Sequence, residues 1–323
     1  ESDADNLDLP RLVTKLNDKL CSELFINNNY MTLLIGIIDL EKESFHYLNA
    51  GHPPVIELDT ISGETRIIDA TGSMPVGWMP KLVYKMEDTD TIQLTEHNII
   101  LLFTDGIYEC VNPQDEQFGL NGLIDILTNR IPVDSCVSLP FKVKHYLAEN
   151  NYEVSGDDFT LFAFQKQRMY FNTSPIPDTN GAQAVHFIIM LRAALREVGK
   201  TAQQCEKLIL NWTDNPKLAA KVELIIDEFL NNIIKYGYNF QEDSVIVVEF
   251  IMHSHKLVIK FWDRGINWQP PEQKYSVDKP YSFDNDMHSE SGKGVNIIMS
   301  MSNSLHRDRY DVLNETVVEI NLD

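Results

Sequence analysis

Cysteine is scarce in this 323-residue chain: Cys21, Cys110, Cys136 and Cys205 are scattered, with no C-x-x-C pair and no adjoining histidine cluster. That excludes a disulfide-built scaffold and a zinc finger, and it fits a reducing, cytoplasmic setting. No apolar run approaches the length of a bilayer span, and the opening Glu1-Ser2-Asp3-Ala4-Asp5-Asn6 is the opposite of a signal peptide. No membrane role is expected, and the abrupt polar start resembles a cut inside a longer protein. Basic residues are also few, 27 against 48 acidic ones, for a formal charge of -21. Such a field repels nucleic acid and anionic lipid alike, so neither is an expected partner. A surplus of carboxylates suits magnesium and manganese, which prefer oxygen ligands. Internal repeats and a G-x-x-x-x-G-K-[ST] phosphate loop are both missing.

What is present is ordinary globular material, 43% hydrophobic and 23% charged, in a chain long enough for two cores. Apolar spacing predicts a helix over residues 9–24, strands over 31–40, 45–48, 55–58, 65–68, 82–85, 91–94 and 99–103, helices over 120–129 and 139–150, and a strand over 159–164. Near Lys166 the character changes, which divides the chain into 1–166 and 167–323. A strand over 169–172 and a turn-rich stretch over 173–181 lead into predicted helices over 182–198, 203–212 and 216–236. Paired strands follow over 244–253 and 256–263, then a long polar stretch, a helix over 294–301 and a strand over 316–322. This pattern reads as α/β (α+β), the second half being a helical layer on an antiparallel or mixed sheet.

On the helix over 216–236, Glu228 and Asn232 stand four residues apart beside a stripe of Leu218, Val222, Ile225, Phe229 and Ile233. An amide oxygen and a carboxylate placed together can hold a hydrated magnesium ion and take a proton from an attacking hydroxyl; the plain alternative is a solvated helix edge. At a strand end lies Asp263-Arg264-Gly265, a carboxylate able to accept an adenine amine, or simply a turn. Gly292-Lys293-Gly294 opens a helix, where bare N–H groups and the helix dipole favour phosphate.

In that order and spacing these motifs resemble the GHKL (Bergerat) ATPase fold. Glu228-Phe229-Leu230-Asn231-Asn232, followed by Tyr236-Gly237-Tyr238, is most similar to its RsbW-like serine-kinase branch. The resemblance implies ATP with magnesium, Asn232 as magnesium ligand, Glu228 as general base, and Asp263 with Gly265 at adenine. It also implies Gly292, Lys293 and Gly294 on phosphates, and Thr316 near the base through water. Asn267 stands where many relatives carry a second glycine, a departure common in the serine-kinase branch. A histidine-kinase reading needs a phospho-accepting histidine on a dimerisation helix, and His97 and His145 lack that setting.

In the first half a buried-type strand runs into Thr104-Asp105-Gly106, and Ser155-Gly156-Asp157-Asp158-Phe159 places carboxylates beside the last strand. Two such sites can converge on paired ions that clamp a phosphoryl group. With Asn49-Ala50-Gly51-His52-Pro53-Pro54, Gly72-Ser73-Met74-Pro75-Val76-Gly77, Met31-Thr32 and Phe118-Gly119, the series resembles the PPM (type 2C) phosphatases of the SpoIIE- and RsbU-like group. That implies a β-sandwich flanked by helices, Mn2+ or Mg2+, and Asp105 and Asp157 as catalytic metal ligands with Asp158 beside them. His52 reads as part of a shaped loop, with a catalytic role left open. The family's early G-D-x-x-D and D-x-S-G-x-G segments are absent, so either the front of the phosphatase fold lies outside this chain or the module has become a scaffold. Together the two resemblances imply partner switching: a serine on a STAS-type anti-sigma-factor antagonist phosphorylated by one half and dephosphorylated by the other. The chain would then be the output part of a longer signalling protein or response regulator, with a homodimer plausible. The alternative is a non-catalytic, ATP-binding module that sequesters its partner.

Overall fold

Strand 99–103 is apolar at every position, which requires a sheet covered on both faces. The computed structural model, which describes residues 8–24, 30–68, 73–133, 135–153, 158–166, 185–242, 244–268 and 293–322, supplies both covers. The chain divides into two units, Glu1–Gln167 and Arg168–Asp323. In the first, β1 (Leu33–Asp39), β2 (Ser44–Ala50) and β5 (Thr89–Gln93) form one sheet in the order β1-β2-β5. A second sheet has the order β4-β3-β6-β7, built from β3 (Val55–Asp59), β4 (Thr65–Ile68), β6 (Asn98–Phe103) and β7 (Leu161–Gln165). Every pairing is antiparallel.

Alternation along each strand sorts the side chains between layers. Ile100 and Leu102 of β6 meet Phe45 and Tyr47 of β2 between the sheets. Ile99, Leu101 and Phe103 turn the other way, against α2 (Gly119–Asp125) and α3 (Leu139–Glu149) through Leu123, Leu139 and Val143. Leu48 and Ala50, on the far face of β2, pack on Leu9 and Val13 of α1 (Leu9–Leu24). The result is a β-sandwich with helices on both outer faces.

The second unit is one five-stranded antiparallel sheet in the order β11-β12-β10-β9-β8. Its strands are β8 (Val185–Arg192), β9 (Val245–Met252), β10 (Lys256–Asp263), β11 (Ser304–Tyr310) and β12 (Leu313–Asn321). Helices α4 (Leu195–Thr213), α5 (Pro216–Asn232) and α6 (Lys293–Met301) supply the other layer, with α4 and α6 each packed on α5. Asn215 caps α5 by accepting the Leu218 N–H at 3.1 Å, and Pro216 takes the first helical position. Phe229 of α5 lies 4.4 Å from Phe261 of β10, ring to ring, and Phe187 stacks on Phe250 at 4.3 Å. Among the described residues no helix is long and apolar enough to cross a membrane.

Four expectations need correction. Residues 182–198 do not form one helix: β8 occupies Val185–Arg192, because inward Phe187, Ile189 and Leu191 follow a period of two, and α4 then absorbs the helix expected over 203–212. Residues 82–85 make no ladder. Tyr84 is held instead by its N–H to Thr14 Oγ1 at 3.0 Å and its hydroxyl to the Met74 carbonyl at 2.8 Å. The helices expected over 120–129 and 216–236 end in wider π-type turns at Ile126–Arg130 and Ile233–Gly237. Strand β11 escaped the sequence reading, since its inward Arg307 breaks the apolar alternation. The strand expected over 169–172 lies outside the described residues.

Truncating the fully buried Phe229 to alanine empties the contact with Phe261. Denaturant titration should then register a loss of about 3–5 kcal/mol, and a loss under about 1 kcal/mol would contradict this packing.

Candidate functional site

The buried stripe of α5 turns Glu228 and Asn232 to its half-buried edge, one turn apart. Asn232 Nδ2 is buried and has no hydrogen-bond partner among the described residues. A buried side-chain amide left this way needs a partner, which an ordered water or a bound ligand can supply. Since the two ends of an amide exchange by a half-turn, the same position can present Oδ1 to a cation. Directly after Asn232 the helix widens into the turn Ile233–Gly237, which carries Gly237 and Tyr238 to the end of β10.

Three contacts stitch these two ends together. Ile266 donates its N–H to the Gly237 carbonyl at 3.0 Å, and Arg264 donates its N–H to the Tyr238 hydroxyl at 2.7 Å. Gly265 lies against the Gly237 backbone so closely that a Cβ there would meet three of its atoms at 2.8 Å. Only glycine fits, which explains the D-x-G pattern. Burial pushes the Tyr238 phenol up, keeping it protonated.

Asp263, at the last position of β10, is buried. Its Oδ1 accepts from Asn314 Nδ2 at 2.8 Å and from the Gly265 N–H at 2.9 Å. Its Oδ2 lies 2.9 Å from Nη2 of Arg307, an ion pair whose N–H does not point along the contact. Arg307 Nη1 donates to Thr316 Oγ1, and the guanidinium lies 4.8 Å from the centre of the Trp268 indole. Burial lowers the Arg307 pKa, with the Asp263 charge opposing that shift. Arg309 Nη1 donates to Asn314 Oδ1 at 2.9 Å and to the Gly265 carbonyl at 3.1 Å, bracing the turn. Thus Asp263, Gly265 and Thr316 share one cluster, joined to the Asn232 end of α5. Lys293 and Gly294 begin α6, which packs on α5; Gly292 lies outside the described residues. Sequence reasoning missed Arg307, Asn314 and Trp268, because no motif marks them and β11 itself was not foreseen.

In the first unit Asp105 opens a short 3-10 turn straight after β6. The Thr104 hydroxyl donates to the Asp158 carbonyl at 2.6 Å and accepts the Thr160 N–H at 2.9 Å, tying the Asp105 turn to the start of β7. Two more motifs meet nearby. Met31 and Val76 exchange backbone hydrogen bonds at 2.9 Å, and Ala50 bridges Ser73. Gly51 has φ of +74°, a left-handed turn that sends the chain into His52. His52 donates its N–H to Asn49 Oδ1 at 2.8 Å, and its imidazole is pushed down by burial against the opposing pull of the Pro53 carbonyl and the Asp105 charge. The loop after Asp105 is closed by Gly119, whose N–H reaches the Tyr108 carbonyl at 2.7 Å. Among the described residues no three His, Cys, Asp or Glu side chains group to hold a metal, and Asp157 lies outside them.

The first unit is thus a β-sandwich with a carboxylate at a strand end, and the second is a helical layer on one antiparallel sheet. A family model described as Stage II sporulation protein E (SpoIIE) matches residues 2–167, and one described as Histidine kinase-like ATPase domain matches residues 191–320. The chain belongs to the SpoIIE family, and its architecture is a SpoIIE phosphatase domain followed by a histidine kinase-like ATPase domain. Protein IcfG of Synechocystis sp. is 26% identical over 147 residues, 46% of this chain and 22% of that protein. Phosphoserine phosphatase RsbP of Bacillus subtilis is 33% identical over 104 residues, 31% of this chain and 25% of that protein. The chain thus matches about a quarter or less of each curated relative's length. The RsbU and RsbW domains of Rv1364c from Mycobacterium tuberculosis align over 94% of this chain and 72% of that one, at 17% identity and a TM-score of 0.35.

Replacing Asp263 by asparagine leaves the Arg307 charge buried without its counter-ion. The second unit should lose about 3–5 kcal/mol of stability in denaturant titration, and an unchanged midpoint would refute the ion pair.

Proposed function

We propose that this chain is a bifunctional regulator that phosphorylates and dephosphorylates a serine on a STAS-type anti-sigma-factor antagonist. The kinase reading is supported above all by the orphaned Asn232 amide, one turn from Glu228 and stitched to the strand end carrying Asp263. In this reading ATP with Mg2+ supplies the transferable phosphoryl group. Glu228 accepts the proton of the substrate serine, Asn232 offers its amide oxygen to the ion, and Asp263 with Gly265 and Thr316 lies at the base. Gly292, Lys293 and Gly294 are the candidates to bind the phosphates through backbone N–H groups and the Lys293 charge.

For the reverse reaction, Asp105, Asp157 and Asp158 are the candidates to hold Mn2+ or Mg2+, which lowers the pKa of a bound water and offsets phosphoryl charge. Thr104 fixes the Asp105 turn to the backbone of Asp158, as such a role requires. The activities, the STAS partner and the ions are proposals, since the named relatives extend far beyond the matched region.

A second reading is a non-catalytic module that binds ATP and sequesters its partner. Transfer of radiolabelled phosphate from ATP to a STAS protein separates the two: transfer supports the kinase, and partner binding without transfer supports sequestration.

Calorimetry should detect ATP binding with magnesium, abolished by Asn232→Ala; unchanged affinity in the variant would overturn the nucleotide site. Manganese-stimulated phosphate release from a phosphoserine STAS protein should fall to background in Asp105→Asn. Equal rates in the two proteins would remove Asp105 from the chemistry.

A further inference from the structure

We propose that Arg307 reads the nucleobase together with Asp263, so that the site presents a paired donor and acceptor rather than a lone carboxylate. This inference rests on the nucleotide reading of the second unit and names a residue that no motif marks.

The topology sets the pair up. Arg307 of β11 stands opposite Thr316 of β12, which in turn stands opposite Phe261 of β10. All three project from the face that the helices cover, so the arginine side chain runs across β12 and ends at Asp263, two residues beyond Phe261. Both side chains are fully buried. Nη1 is satisfied by Thr316, whereas Nε and Nη2 have no aligned acceptor and Asp263 Oδ2 has no aligned donor among the described residues.

For stability alone this is a poor use of a buried arginine. Nη2 faces Asp263 through a single ion-pair contact and Nε has no partner among the described residues, whereas a bidentate fork would satisfy both nitrogens and both oxygens. The present arrangement leaves an acceptor oxygen and donor nitrogens side by side, 2.9 Å apart at the Oδ2 to Nη2 contact. The edge of adenine is complementary: its exocyclic amine donates, and the neighbouring ring nitrogen, N1 or N7, accepts. Asp263 would take the amine hydrogen and Arg307 would donate to the ring nitrogen.

The indole of Trp268 covers the guanidinium. It is a flat bicyclic ring lying over the guanidinium at 4.8 Å and 5.9 Å from the ring of Phe229, whose neighbour in α5 is Glu228. With its face covered by Trp268, the guanidinium is left to act through the N–H groups in its own plane.

The test is calorimetric titration of the intact protein with ATP, 1-deaza-ATP and 7-deaza-ATP in the presence of magnesium. Wild type, Arg307→Met and Arg307→Lys are compared, with thermal melts to establish that each is folded. Arg307→Met should bind ATP about tenfold or more weakly, the scale of one charge-assisted hydrogen bond, and Arg307→Lys should recover only part. One deaza analogue should bind wild type more weakly than ATP by a similar factor, and that deficit should vanish in Arg307→Met. Should Arg307→Met fail to fold, the analogue series on wild type and Arg307→Lys decides. Equal or tighter ATP binding by Arg307→Met, or no deficit for either analogue in wild type, overturns the role of Arg307 while leaving the nucleotide site standing. Failure of wild type to bind any of the three nucleotides overturns the nucleotide reading and this inference with it.

Discussion

The second unit is organised around the place where the end of β10 is pressed against the end of α5. Gly265 lies on the Gly237 backbone with no room for a Cβ, and two hydrogen bonds, Ile266 to Gly237 and Arg264 to Tyr238, hold the approach. Neither element alone brings a carboxylate, an amide and an arginine to one place. The helix would offer Glu228 and Asn232 as a solvated edge, and the strand would end in an ordinary turn. Their junction brings the two local patterns to adjoining element ends, and it depends on two glycines and a widened helical turn.

The first unit uses a smaller version of the same device. Thr104 donates to the Asp158 carbonyl and accepts the Thr160 N–H, so a single hydroxyl links the turn after β6 to the start of β7. Asp105 is thereby fixed just past the end of β6, with His52 close enough to feel its charge. In both units a candidate carboxylate stands at or just past the end of a central strand and within two residues of a glycine, where a rigid sheet sets its position.

Much of this was legible in the residues. The all-apolar run Ile99–Phe103 announced a strand covered on both faces, and the stripe Leu218, Val222, Ile225, Phe229 set the orientation of Glu228 and Asn232. Motif order gave both folds. What stayed hidden followed from non-local pairing. Phe187, Ile189 and Leu191 sit in an apolar stretch that suits a helix as well as a strand, and only the ladder with β9 decides between them. Residues 82–85 read as a strand, yet Tyr84 is held by Thr14 and Met74 from other segments. Arg307 was invisible for a deeper reason: a buried charge carries no apolar signature, and its partners come from two other strands.

Hydrogen–deuterium exchange with and without ATP and magnesium asks directly whether the end of α5 and the end of β10 act as one site. If they do, amides across 228–238 and 261–268 gain protection together on nucleotide addition, while those of the β-sandwich over 33–103 are unchanged. Protection confined to one of the two segments, or absent from both, would contradict the joined site.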